Sequence, residues 1–228
     1  MIREIYDKLY GRVLQGPFKD MHYISNSIGS AYWPKILGTY EKELYPYIQN
    51  RRIDRVINVG AAEGYFAVGF KRYICPGAEV IAFEREERGQ EKIKELAKKN
   101  KVYINLFGDC DPDSLRNSIG NDKLNFILID VEGYEFELLR GMDRKSLQSS
   151  VLLIEIHDCF SEDVGNKIIH FLSETHKFKR IDIIDRFRND LPSFLNQSFL
   201  VTNRLAIDLM NEHRNPSIYW LLFEAPDS

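Results

Sequence analysis

The stretch from Arg55 to Phe66 constrains this chain more than any other. Val56, Ile57 and Val59 supply the β-branched run of a strand buried on both faces. Gly60, Ala61, Ala62 and Gly64 follow as a turn free of bulk, so a ligand can come close to the backbone. Tyr65 and Phe66 open a helix whose N-terminal amides and partial positive charge face that turn. Strand, small-residue turn and helix in this order make a βα unit of the kind that binds nucleotides and nucleotide-like cofactors.

The alternation continues. Strands are predicted at Val56–Val59, Glu79–Glu84, Val102–Phe107, Phe126–Val131, Val151–Ile156 and Phe178–Ile184. Helices are predicted between them at Glu63–Tyr73, Arg88–Asn100, Pro112–Ser118, Glu135–Met142 and Glu162–His176. Repeated βα units mean a parallel sheet with helices on both faces. After it, Asp190–Asn196 reads as a loop or short helix, Phe199–Val201 as a short extra strand, Arg204–Asn215 as a helix and Tyr219–Phe223 as a last strand. Residues 1–50 lack the strand pattern. They read as a helical cap or lid, with a first helix on Ile2, Ile5, Tyr6, Leu9 and Val13, an irregular Ser27–Pro34 and a short helix at Tyr40–Ile48. The domain organisation expected is therefore a cap over 1–50 and a ligand-binding domain over 51–228, together one compact unit.

Composition excludes several classes. A net charge of −3 gives no global pull toward nucleic acid or acidic membranes. No apolar run reaches the length of a membrane span. Cys75, Cys110 and Cys159 are far apart and odd in number, which argues against a disulfide framework or zinc cage. With a charged N-terminus unlike a signal peptide, these features point to a soluble cytoplasmic protein.

An open parallel sheet binds its ligand at the carboxyl ends of its strands. Those ends carry Gly60, Glu84-Arg85, Gly108-Asp109, Asp130-Val131-Glu132-Gly133 and Glu155-Ile156-His157-Asp158. Glu84 is the first acid after Val80–Phe83 and suits the two hydroxyls of a ribose. Asp109 suits an adenine amine, or simply caps the next helix. The turn does not fit the G-x-G-x-x-G dinucleotide fingerprint, and Glu63 at the helix start would repel a pyrophosphate. A phosphate-free adenosine cofactor suits an acidic turn better. S-adenosylmethionine is one, and Asn58 and Glu63 would then contact its methionine portion.

The run Val56–Phe66, with Ala82-Phe83-Glu84, Gly108-Asp109, Ile127–Gly141 and Leu153–His157, resembles the class I S-adenosylmethionine-dependent methyltransferases, most closely the FkbM-like family. The Ile-Asp-Val-Glu-Gly-x-Glu run at Ile129–Glu135, with Leu138-Leu139-Arg140-Gly141 behind it, is the most specific piece. Asn58 departs from the family, where Asp is commoner. The resemblance implies a Rossmann-like methyltransferase fold with a mostly parallel seven-stranded sheet whose last strand is antiparallel. It implies that Gly60, Glu84 and Asp109 hold the cofactor's backbone turn, ribose and adenine, and that Asp130 and Glu132 face the methyl group and substrate; with their neighbours the expected cofactor site is Asn58, Gly60, Ala62, Glu63, Gly64, Tyr65, Phe66, Glu84, Arg85, Gly108, Asp109 and Asp130. It also implies O-methylation of a sugar or other small natural product. His157 is the best neutral-pH base, with Asp130 and Glu132 as alternatives, and its competing role is a structural histidine. Asp130, Glu155, His157 and Asp158 could hold a cation, but nothing in their spacing demands one, and no metal is assigned. The acceptor walls expected are Tyr23, Tyr32, Trp33 and Tyr40, and the region Arg186–Phe199. A homodimer face is expected if the N-terminal aromatics are exposed. The alternative function is a non-catalytic module that binds S-adenosylmethionine or an adenosine nucleotide.

Overall fold

Strand order and direction put one end of the sheet in charge of the chemistry. In this computed structural model, which describes residues 11–120, 122–160 and 162–226, the strands are β1 (Arg55–Val59), β2 (Glu79–Phe83), β3 (Asn105–Phe107), β4 (Asn125–Ile129), β5 (Ser150–Ile156), β6 (Lys177–Ile181) and β7 (Tyr219–Glu224). They form one seven-stranded sheet in the order β3-β2-β1-β4-β5-β7-β6. The first five run parallel. β7 is antiparallel to both β5 and β6. The order reverses between β1 and β4, and a ligand crevice forms outside the strand ends at such a point.

The helices are α1 (Tyr32–Leu37), α2 (Tyr45–Ile48), α3 (Tyr65–Gly69), α4 (Glu87–Asn100), α5 (Pro112–Ser118), α6 (Glu135–Arg140), α7 (Arg144–Leu147), α8 (Val164–Leu172), α9 (Ser193–Asn196) and α10 (Asn203–Met210). Alternate residues of each strand go to opposite faces, and the core divides accordingly. Val56, Val80, Phe126, Leu128 and Trp220 pack with α3, α4 and the segment Val13–Ile48. Ile57, Ile81, Ile127, Ile154 and Leu221 pack with α5, α6, α7 and α8. The segment before β1 thus shares the core of one sheet face. It also meets the excursion between β6 and β7, where Leu37 packs with Leu191, Val201, Ala206 and Met210.

Several boundaries differ from the sequence reading. The helix expected on Ile2–Leu9 lies outside the described residues. The supposedly irregular Ser27–Pro34 runs into α1, because Pro34 sits in the first turn, where no intrahelical donor is lost. Gly38, at φ 68°, ends that helix. Val102 to Ile104 stay outside β3. The apolar triplet Phe199–Val201 forms turn rather than strand, and Phe199 is 92% exposed. The helix expected to Asn215 ends at Met210, and His213 is left-handed at φ 55°.

Candidate active site

The turn after β1 is built by close approach. Gly60 has φ 76°, and a Cβ there would lie 1.7 Å from the Asp130 carbonyl oxygen at the end of β4. Only glycine fits. Gly60 and Ala61 both donate backbone N–H groups to the Phe83 carbonyl, at 3.0 and 2.9 Å. Ala62, at φ 50°, and Gly64, at φ 89°, are also left-handed. A second left-handed pair, Glu132 at φ 54° and Gly133 at φ 101°, follows β4. Backbone strain of this kind concentrates at ligand sites, and here both strained turns flank the β1/β4 switch point.

Glu84 directly follows β2 as a largely buried carboxylate. It accepts the Ala62 N–H at 2.7 Å and the Glu86 N–H at 2.8 Å. Burial raises its pKa, against the effect of those two hydrogen bonds. Gly89 on α4 leaves room for it, since a Cβ there would lie 2.6 Å from Glu84 Cγ. Arg85, Gly108 and Asp109 are exposed beside it. Asn58 is buried within β1, in register with Ala82 and Leu128.

Glu63 does not face the crevice. Its side chain is 0% exposed and ion-paired to Lys35. It also accepts the Tyr23 hydroxyl at 2.6 Å and the Ile28 N–H at 3.0 Å. Burial would raise its pKa, but the Lys35 charge and these donors outweigh burial and hold it below the ordinary value. Glu63 therefore ties the segment before β1 to the turn from behind, and the expected contact with a ligand's methionine portion gives way to that anchor. Tyr23 is consumed by the same anchor and Tyr40 is buried in the core, so neither stands as an acceptor wall. Tyr32 and Trp33 are partly buried against the same core.

His157 is the centre of the second half of the site. Its ring is 2% exposed, and Nδ1 lies 2.6 Å from Glu135 Oε1, itself fully buried. Nε2 faces Glu132 Oε2 at 3.4 Å, Glu155 Oε2 at 3.6 Å and Asp130 Oδ1 at 3.8 Å. Burial disfavours the imidazolium, but the Glu135 hydrogen bond and the charges of Asp130, Glu135 and Glu132 raise the His157 pKa above its ordinary value. Burial also lifts Asp130 and Glu132. Phe160 stacks on the imidazole at 5.7 Å between ring centroids. Asp158 turns away, accepting from Gly165 N and the Tyr219 hydroxyl.

Sequence reasoning named His157, Asp130 and Glu132, and the structure brings them together. It passed over Glu135 as the partner of His157, although Glu135 closes the run that begins at Ile129. It also passed over a buried charge network above β5. There Arg214 pairs with Glu155, and lies 3.5 Å from Glu41 and 3.6 Å from Glu43. Arg186 bridges Glu43 and Glu212, both at 2.7 Å. No local pattern announces these contacts, because their members lie at opposite ends of the chain.

The acidic strand ends fit a cationic, hydroxyl-bearing cofactor and oppose a phosphate. A separate depression of about 630 Å³ lies at the other end of β1 and β2, lined by Arg51–Asp54 and Ile74–Ala78 with Asp122 and Lys123. It is remote from the strained turns and from His157.

This seven-stranded arrangement is the class I methyltransferase fold. The precorrin-8w decarboxylase of Methanobacterium thermoautotrophicum shares it at TM-score 0.57 and 13% identity, over 89% of this chain and 96% of that one. So does the precorrin-6y C5,15-methyltransferase of Geobacter metallireducens, at 0.55 and 13%, over 82% and 87%. The O-methyltransferase TomG of Streptomyces achromogenes, solved with S-adenosylmethionine, matches at 0.51 and 13%, over 81% and 78%. No curated protein sequence matches. Residues 106–182, from β3 through β6, match the model of the methyltransferase FkbM domain. The fold is therefore that of the class I methyltransferases, and the stretch from β3 through β6 is similar to the FkbM methyltransferase domain.

Proposed function

We propose that the protein methylates a hydroxyl of a sugar or other small natural product. The observation that carries this reading is the Glu135–His157 pair at the carboxyl ends of β4 and β5, beside the glycine turn. When bound, S-adenosylmethionine supplies an electrophilic methyl group on its sulfonium. Glu84, already fixed by two backbone amides, takes the ribose hydroxyls, with Arg85 beside it. Gly108 and Asp109 border the adenine. Gly60, Ala62 and Gly64, with Asn58, Tyr65 and Phe66 behind them, shape the wall toward the methionine end. Glu63 braces that wall without touching the ligand.

An acceptor hydroxyl must lose its proton as the methyl arrives. His157, Asp130 and Glu132 form the cluster that receives it. The Glu135 hydrogen bond fixes His157 with Nε2 turned to the crevice, and the surrounding carboxylates stabilise the imidazolium that forms. The turn holding Phe160 and the excursion that begins at Arg186 border the acceptor.

Isothermal titration with S-adenosylmethionine and S-adenosylhomocysteine, followed by a labelled-methyl assay on a panel of sugars and phenols, tests the reading. Glu84→Ala should weaken cofactor binding at least tenfold. No binding of either cofactor form, or binding with no transfer to any hydroxyl acceptor, overturns it; the second result leaves a non-catalytic binding module.

A further inference from the structure

The cluster around His157 gathers more carboxylate oxygens than its hydrogen bonds engage. With Nδ1 bonded to Glu135, Nε2 points at three carboxylate oxygens, none within hydrogen-bond distance. Asp130 Oδ1 is wholly buried and has no hydrogen-bond partner among the described residues. Glu155 is almost fully buried, and Arg214 engages its other oxygen, leaving Oε2 turned to the imidazole. Acceptor atoms thus converge on one point.

We propose that Asp130, Glu155 and His157 form a divalent-cation site, with Glu132 as a fourth ligand at its mouth. One ligand atom from each of the first three falls within 4.8 Å of the others. Bonds of about 2.1 Å at tetrahedral angles put neighbouring ligand atoms roughly 3.4 Å apart. The spacings of 3.4, 3.6 and 3.8 Å from Nε2 are near that value. The hydrogen bond from Nδ1 to a buried carboxylate is the support that metal-bound imidazoles ordinarily have, because it fixes the tautomer and raises ligand basicity. One imidazole among carboxylates suits a transition cation such as Mn²⁺ or Zn²⁺ better than Mg²⁺, which prefers oxygen ligands and its own waters.

The site deepens the proposed methyl transfer and rests on the same strand ends. A cation there would take Nε2 as a ligand, so that His157 no longer receives the proton, and an acceptor hydroxyl joining as a fifth ligand would have its pKa lowered. The O–H bond and the sulfonium–methyl bond break as the oxygen–methyl bond forms, and the S–C electron pair stays on sulfur as S-adenosylhomocysteine leaves. The proton passes to Glu132, the member of the cluster most open to solvent at 67% side-chain exposure.

The test uses the full chain freed of metal, with Mn²⁺ as the probe, read by electron paramagnetic resonance without cofactor or acceptor. Wild type should bind one Mn²⁺ per chain and release it to Zn²⁺. Its electron spin-echo spectrum should carry nitrogen modulation from the His157 ring. Asp130→Asn, Glu155→Gln and His157→Gln should each weaken binding at least tenfold, while Glu137→Gln, on the exposed face of α6, leaves it unchanged. Absence of saturable binding overturns the proposal, as does bound Mn²⁺ without nitrogen modulation or affinity that survives all three substitutions. The wild-type spectrum decides the matter even if a variant fails to fold. Mn²⁺ bound with no methyl transfer defeats the methyltransferase reading alone; transfer undiminished in EDTA with no Mn²⁺ bound defeats the cation alone.

Discussion

Replacing Lys35 by Met removes the cation that, among the described residues, pairs with Glu63. Lys35 and Glu63 are both buried, and Lys35 also donates to Ser30 Oγ at 2.6 Å and sits over the Tyr40 ring at 4.6 Å. The variant keeps the apolar stem and loses the charge. Glu63 then retains two donors, Tyr23 and Ile28, for a carboxylate shut away from water. Breaking a buried pair in this way costs about 3–5 kcal/mol. The pH dependence should change sign as well. In the wild type the Glu63 pKa is lowered, so its stabilisation is present above the ordinary carboxylate range and is lost as pH falls through the lowered value. In Lys35→Met burial acts unopposed by the ammonium, the pKa rises, and the variant is stabilised by acidification where the wild type is not. Urea unfolding between pH 4 and 8 measures both effects. Lys35→Met with Glu63→Gln should recover most of the loss, because no charge remains buried. A cost below about 1 kcal/mol for the single variant, or a double variant no more stable than the single, refutes the anchor. So does a Glu63→Gln protein of unchanged stability whose affinity for S-adenosylhomocysteine has dropped, since that is the behaviour of a ligand contact.

Three further outcomes follow from named contacts. Gly60→Ala forces a Cβ onto the Asp130 carbonyl and a left-handed φ onto alanine, so cofactor binding should vanish and the melting temperature fall, by calorimetry and titration. Glu135→Gln removes the charge that supports His157, so the imidazole pKa followed by NMR should fall and methyl transfer should drop about a hundredfold, while S-adenosylhomocysteine affinity holds. Glu41 is buried with neither carboxylate oxygen hydrogen-bonded among the described residues, and burial pushes its pKa to about 8, so the folded state takes up a proton and loses stability as pH rises from about 4.5 to 8. Glu41→Gln should therefore stabilise the protein at pH 8 by at most about 5 kcal/mol and change little at pH 4, measured by urea unfolding.

The parts of the fold legible in the sequence are those whose physics is local. The β-branched run at Val56–Val59 and the bulk-free turn behind it carry their own explanation, and so do the acids that close β2, β4 and β5. The parts that were not legible depend on partners far along the chain. Glu63 stands at the mouth of a ligand turn, and nothing near it in sequence says otherwise. Lys35, 28 positions earlier, and Tyr23, 40 positions earlier, decide its orientation. Arg214 reaches Glu155 in the same way, and Glu41 and Glu43 arrive beside it from before the first strand. Phe199–Val201 shows the converse error: apolar and β-branched residues without a neighbouring edge to pair with remain turn.

The charge inventory at the strand ends also explains why one class of cofactor suits the site and another does not. Among the described residues, Asp130, Glu132, Glu135, Glu155, Glu41, Glu43 and Glu212 gather around two guanidiniums, Arg186 and Arg214. Both guanidiniums are held by the carboxylates themselves, so neither is free for an incoming anion. A pyrophosphate at this switch point would meet surplus negative charge in a buried setting where screening is weak. A sulfonium or an ammonium group meets attraction from the same groups, and a cation at His157 would relieve what remains. The glycine turn alone admits either kind of ligand. It is the carboxylates delivered by β4, β5 and the two flanking segments that restrict it to the positively charged one.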